Sequence, residues 1–468
     1  MIRTIAVILA AITIASVASA QLIDVTIQLS GQIRKSAFPA PSMGQVAAAA
    51  PGAAPVDPGV RRGAAGAGGF LAGLSADEVN FANAAAMRFE KIWSVSGTIP
   101  GEAGIGLGPR YSTNGCSACH AFPAIGGSSP PTNPEIAMAT LDGATNAVPS
   151  FITANGPVRI AFQPSNGRLL KLYTIQGRTD ARGCVLKQPD FARLVANNDI
   201  SFHIPIPLFG SGLVEQTPNA NLIAAQNASV MTSLGITPGR FNYSGDGTIS
   251  RMGWKAAASS LEYFAAFALH VDVGVTTEIF PREGDETASC QFNSQPEDRA
   301  RQSRNTPNTS SITSDYASDM VNTAKFSQYL APPTPIADTP STANGRAKFI
   351  SVGCAACHIQ FQTTGNSSMT GQSKFQYSPW SDYAIHNMGV GLRDGISEGA
   401  AGPQDFKTSA LWGIGQRIFF LHDGRTSDIY QAILDHASSD SEANTVISSF
   451  NALSTSDQQD ILNFLRAL

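Results

Sequence analysis

Cys116-Ser-Ala-Cys119-His120 and Cys354-Ala-Ala-Cys357-His358 repeat one arrangement: two thiols three residues apart, with an imidazole beside the second. That spacing lets both thiols add across the vinyl groups of a haem while the adjacent histidine reaches the iron. With six cysteines and seven histidines in 468 residues, two such motifs do not arise by chance. Zinc is the chemical alternative, since Cys-x-x-Cys also suits that ion, but two isolated pairs far apart in the chain make a poor ligand set. The motifs therefore predict two covalently bound haem c groups, with His120 and His358 as proximal iron ligands. Cys184 and Cys290 are left over and, in an oxidising compartment, can pair as a disulfide.

The sixth ligand of each iron decides what it does. Two strong protein ligands make an electron shuttle, whereas an open sixth position admits peroxide or oxygen. The remaining histidines are His203, His270, His386, His422 and His436, with Met138, Met252 and Met388 as possible thioether ligands. His270 lies in an apolar run and reads as a packed core histidine; Trp254 and Trp380 read either as core or as relays between the haems.

Several segments carry a more specific likeness: Gly106-Leu-Gly-Pro-Arg-Tyr111, Leu208-Phe-Gly-Ser-Gly-Leu-Val-Glu215, Gly253-Trp-Lys-Ala256, Tyr377-Ser-Pro-Trp380 through Met388-Gly389, and Leu411-Trp-Gly-Ile-Gly415. Together with the Cys116 motif they resemble the bacterial di-haem oxidoreductase family. That family is similar to the di-haem cytochrome c peroxidases and to the tryptophylquinone-forming di-haem enzyme of methylamine metabolism. Phe406-Lys-Thr-Ser-Ala-Leu411 and Phe420-Leu-His-Asp-Gly-Arg425 resemble two elements of the peroxidases in particular. In those enzymes the distal methionine of the C-terminal haem follows the His-Asp-Gly histidine by fourteen residues, and here that position is His436. The resemblance thus implies a His358/His436 pair at the second haem, with His386 or Met388 as rivals; exchanging methionine for histidine lowers the potential.

The first haem departs from the pattern. The peroxidases have a histidine soon after their first haem motif, but residues 121–150 contain none. The first haem is therefore expected to be open and reactive. Glu215 is the expected acid-base group for moving a proton between peroxide oxygens, and His203 could do the same or ligate the iron. The related peroxidases hold a calcium ion between their haems; here Asn242–Asp246 is oxygen-rich but lacks the carboxylates of an EF-hand loop.

The elements that must position these residues are legible in outline. Met1-Ile-Arg3, an apolar run and Ala18-Ser-Ala20 form a signal peptide over 1–20, which predicts export to the periplasm. Residues 21–74, rich in Ala, Gly and Pro, read as a flexible tether. Ser75-Ala-Asp-Glu78 is a capping box opening a helix through Phe81, Ala85, Phe89 and Trp93. An N-terminal haem domain is expected over 75–330, with short β-like runs such as 202–206 and a helical stretch from Ala256 to Leu269. Four prolines in Ala331–Pro340 mark a boundary, and 341–468 reads as a C-terminal cytochrome c domain with helices at 344–350 and 457–468. The fold class is mainly α: two cytochrome c-like haem domains with a long, mixed, loop-rich insertion between the motifs. No later run is long enough to span a membrane, and a net charge of −4 argues against nucleic acid.

Three functions fit this reading. The first is a peroxidase-like enzyme taking electrons from a small donor protein or a quinol-linked donor and passing them to peroxide or another small oxidant. The second is a dihaem electron carrier without catalysis. The third is a di-haem oxygenase or an enzyme that oxidises a partner protein. About two hundred residues between the motifs favour an enzyme, since a carrier needs little more than the haem packets.

Overall fold

The computed structural model describes residues 54–226, 228–300 and 317–468. The leader and the stretch before residue 54 lie outside them. All described residues fall within one compact unit.

Helix α1 (Ala76–Phe89) starts as the sequence predicts: Ser75 Oγ accepts the Glu78 N–H and Glu78 returns to the Ser75 N–H. Ala82, Ala85, Ala86 and Phe89 follow the i, i+3, i+4, i+7 rule and are buried. They face α4 (Asp319–Tyr329), where Phe89 stacks on Phe326 with centroids 4.4 Å apart. A short helix α2 (Glu135–Met138) and helix α3 (Leu261–Ala268) complete this half, and α3 runs on as a π-helix over Leu269–Val273. Strand β1 (Ile160–Gln163) lies between β2 (Arg168–Leu170) and β3 (Ser201–His203) in a small antiparallel sheet, with Ile160 opposite His203. The expected β-run therefore stops at His203, since Pro205 and Pro207 cannot donate to a ladder. Cys184 and Cys290 form a disulfide.

The second half is built on α5 (Pro340–Ser351), capped by Thr339 with Pro340 in its first turn, crossing the C-terminal helix. Gly345 is required there, because a Cβ would lie 1.9 Å from the Asp460 carbonyl oxygen. Helices α6 (Ile429–Leu434), α7 (Asn444–Asn451) and α8 (Thr455–Ala467) close a core of Phe349, Trp380, Phe420, Phe450, Phe464 and Leu465. Each fully buried side chain of this size contributes roughly 1.5–3 kcal/mol. Trp380 is thereby a core residue, edge-on to Phe349 and Phe464. A two-stranded pair, β4 (Ile385–Asn387) with β5 (Asp405–Lys407), sets His386 opposite Phe406.

Residues 54–74 correct the expectation of a tether reaching to 74. Arg466 donates to both carboxylate oxygens of Asp57, the Arg61 N–H to Gly415, and the Leu71 N–H to Tyr329. Small residues let this strap lie flat, and its backbone hydrogen bonds compensate for the missing apolar side chains. The proline-rich 331–340 is likewise tied in, with the Thr334 N–H donating to Gly66 and the Ile336 N–H to Ala467. Among the described residues, no helix is long and apolar enough to cross a membrane.

Candidate functional site

Cys116 and Cys119 occupy one helical turn opened by Gly115, and His120 follows directly. Phe89 packs edge-on to the His120 ring at 6.1 Å. The His120 Nδ1 lies 2.9 Å from the Gly127 carbonyl oxygen and, as an N–H, donates to it. That bond fixes the tautomer and leaves Nε2 with a free lone pair. Burial pushes the imidazole pKa down to about 4, so it is neutral and able to ligate a metal.

The cavity beside this motif is lined by Phe89, Ile160, Leu208, Phe264 and other apolar groups, and by two carboxylic acids, Glu135 and Asp272. Glu135 accepts the Arg159 N–H at 3.0 Å, and burial pushes its pKa up to about 8. Burial likewise raises Asp272 to about 7, against the opposing pull of Lys171. Neither residue was singled out by the sequence. Glu135 lies within the same 121–150 segment that has no histidine, fifteen residues after His120, so a carboxylate was the available signal.

The two acid-base residues expected from sequence are placed elsewhere. Glu215 does not line this cavity; its carboxylate accepts the Leu261 N–H at the start of α3 and the Gln328 amide, both at 2.6 Å. It is spent on holding helices. The His203 Nε2–H donates to Asp394 at 2.9 Å, and the other carboxylate oxygen pairs with Lys255 at 3.1 Å. Its ring meets His422 edge-on, which ties it to the second half of the molecule.

Cys354 and Cys357 sit on a tight turn after α5, entered through Gly353 at φ 101°. The His358 Nδ1 donates to the Trp380 carbonyl at 2.9 Å, repeating the His120 arrangement. The adjoining cavity, about 210 Å³ against about 60 Å³ at the first motif, is walled by Leu392, Phe406, Phe420, Ile433, Val446 and similar residues. His436, just after α6, lines the same cavity as His358. Its Nδ1 lies 2.7 Å from the Ala432 carbonyl oxygen, so its Nε2 is free as well. The rival His386 has both ring nitrogens engaged, at 3.1 Å from Asp382 and 2.8 Å from Glu442. Although burial opposes it, Asp382 and Glu442 hold its pKa well above the usual range. A charged imidazole between two carboxylates has no lone pair for iron. Met388 also lines the cavity.

Whether these cavities suit a haem can be tested on their charges. Lys407 and Arg417 line the second cavity and are buried, 8% and 7% exposed. Among the described residues neither has a carboxylate partner, and Arg417 Nε and Nη2 are unsatisfied. Burial alone pulls Lys407 to about 8 and Arg417 to about 10. Unpaired buried cations are costly, and an apolar plate with anionic edges answers them. The residues present fit a haem, whose propionates Lys407 and Arg417 would offset. A small third cavity shares Leu208, Leu261 and Phe264 with the first and Trp254, Lys407, Ser409 and Arg417 with the second. Trp254, with Nε1 donating to Ile204 at 2.8 Å, thus stands between the two sites.

For calcium, Asn242 and Asp246 spend their side chains separately: the Asn242 amide donates to Lys255 and Glu398, whereas Asp246 accepts from Ser244 and Thr248 in its own turn. Among the described residues, three potential ligand atoms converge at Cys357, Asp382 and His386 and not at the first motif, so zinc has no ligand set there.

The family profile described as di-haem oxidoreductase, putative peroxidase, matches residues 190–468, which hold the second Cys-x-x-Cys-His and not the first. No curated protein matches the chain. Among solved structures, a MauG-like protein associated with microbial copper homeostasis is similar over 57% of this chain and 91% of its own, at 13% identity and a TM-score of 0.27. Hydrazine synthase of Kuenenia stuttgartiensis is similar over 32% of this chain and 55% of its own, at 16% identity and a TM-score of 0.22. The chain thus spans about half the length of that hydrazine synthase chain. At such scores both likenesses are slight.

Proposed function

We propose that this chain, which belongs to the di-haem oxidoreductase family, is a c-type di-haem enzyme that reduces peroxide at its first haem and takes in electrons at its second. The observation that carries this reading is the unequal equipment of the two cavities. The second offers two histidines with free Nε2 atoms, His358 and His436. The first offers one, His120, facing two carboxylic acids.

A haem held by one protein ligand supplies an iron that binds and polarises a small oxidant. Cys116 and Cys119 would hold that haem, and Cys354 and Cys357 the other. Glu135, raised to about 8, carries its proton at neutral pH and releases it at little cost, which suits a general acid that gives its proton to the departing peroxide oxygen and is then reprotonated. The apolar wall around it excludes water and strengthens each charge effect. Trp254 would lie on the ground that electrons cross between the sites, and Lys407 with Arg417 would offset the propionates of a haem held at the second. Each motif with its flanking helices is read as a cytochrome c-like packet, α5 crossing α8 at the second.

Export to the periplasm is part of the proposal, supported by the leader-like residues 1–20 and by the Cys184–Cys290 disulfide. The electron source is a small donor protein or a quinol-linked donor. Electron paramagnetic resonance of the ferric protein tests the whole: one low-spin and one high-spin haem are expected, with the high-spin signal changing on addition of peroxide. Two low-spin signals indifferent to peroxide would make the chain an electron carrier.

A further inference from the structure

Beside the first cavity lies a group of titratable side chains that no step above uses. The π-helix presents His270 and Asp272, Lys171 follows β2 directly, and Glu283 comes from the loop after it. Asp272 lines the cavity together with Glu135. Lys171 acts electrostatically on Asp272, on Glu283 and on His270. Glu283 is buried, 8% exposed, between exposed Arg282 and Gly284. A Cβ built on Gly284 would lie 3.9 Å from Lys171 Nζ and 4.0 Å from His270 Nε2. The protein surface is therefore about one side chain away from both groups.

Among the described residues, no direct hydrogen bond or ion pair of 4 Å or less joins Asp272, Lys171 and Glu283, and the His270 Nδ1 is buried without a partner. A purely structural cluster would have closed into ion pairs, because separated buried charges are costly. Polar groups too far apart for a direct hydrogen bond can be bridged by water. π-Helices are themselves uncommon and recur at functional sites.

We infer that Glu283, Lys171 and Asp272, with His270 beside them, form a proton-entry path from the surface at Gly284 to Glu135 in the first cavity. The inference rests on the peroxidase reading and deepens it. Reduction of one peroxide to two waters consumes two electrons and two protons; the electrons come from the donor by way of the second haem, and the protons from solvent through this path. Glu135 gives its proton to a peroxide oxygen and must be recharged in each turnover. Burial raises Glu283 to about 8 and Asp272 to about 7, so both exchange protons near neutrality.

The test uses the haem-loaded full chain and leaves Asp272 and Glu135 intact. Gly284→Val plugs the entrance; Gly284 has no left-handed φ and its added Cβ makes ordinary contacts, so the fold should tolerate it. Lys171→Met and Glu283→Gln break the path inside. Absorption and paramagnetic resonance spectra unchanged from wild type establish that both haems are in place. Stopped-flow reaction with peroxide should then slow about tenfold or more in each variant, the order expected for loss of one positioned proton-transfer group. The solvent deuterium isotope effect should rise, and imidazole or formic acid should restore the rate. Wild-type rates and isotope effects in all three variants would overturn the path. A slower reaction with no added isotope effect and no rescue would show that Gly284 admits peroxide itself, which also overturns it. If wild type ignores peroxide, the peroxidase reading fails, and the path is then judged by proton uptake on photoreduction, followed with an indicator dye. Slower uptake in Gly284→Val would support it, and unchanged uptake would overturn it.

Discussion

The two haem-binding regions share a scaffold and differ in what faces the iron position. Each has a Cys-x-x-Cys-His turn and a histidine whose Nδ1 is tied to a backbone carbonyl, Gly127 in one and Trp380 in the other. His436, prepared in the same way, lines the cavity of His358, whereas Glu135 and Asp272, raised by burial to about 8 and about 7, line that of His120. On the function proposed above, one scaffold serves as a conductor or as a reaction chamber according to whether its cavity offers a second lone pair or a proton.

The largest expected effect on this contrast is His436→Ala. It should convert the low-spin signal of the second haem to high-spin and abolish electron entry, and paramagnetic resonance reads the change directly. If the low-spin signal persists, Met388 is the ligand. Glu135→Gln should leave both spectra intact while peroxide turnover falls about 10²–10⁴-fold, the usual contribution of a general acid-base group. The same substitution also has a pH signature. A carboxyl raised from the ordinary 4.5 to about 8 in the fold leaves stability at its full value below 4.5 and loses it as pH rises towards 8. Wild type should therefore lose stability across that window relative to Glu135→Gln, as denaturant midpoints at several pH values would reveal. Arg417→Met, which keeps the side-chain volume, separates the charge argument from packing. Removing an unpaired buried cation should stabilise the haem-free chain by ~1–4 kcal/mol and destabilise the haem-loaded one. The smallest effect is expected from Gly345→Ala, which should cost about 1–3 kcal/mol by forcing α5 from α8, a loss confined to unfolding curves.

The sequence revealed what covalent spacing and local periodicity encode. The two motifs, the Ser75 cap, α5 and the C-terminal helix are of this kind, since each is decided within a few residues. His436 is reached through its distance from His422, and the structure brings it to the cavity of His358. Glu215 and His203 were misread because a carboxylate or an imidazole has the same letter whether it caps a helix, pairs with Asp394 or faces a substrate. Glu135 and Asp272 went unnoticed for the converse reason: their chemistry comes from burial by α1, α3 and the small sheet, which no local pattern records. The strap over 54–74 reads as a tether because few large apolar residues mark it, and its docking rests on backbone hydrogen bonds, on Asp57 and Arg61, and on Phe70 and Leu71 at its far end.

That strap has a practical consequence. It runs from Asp57 and Arg61, bound at the C-terminal helix and Gly415, to Phe70 and Leu71, bound beside α4, and so stitches one haem region to the other. A chain trimmed at Ser75, where ordinary sequence complexity begins, would keep both haem motifs and lose the stitching. Its two halves should then unfold at separate temperatures, whereas a chain begun before Asp57 should melt as one.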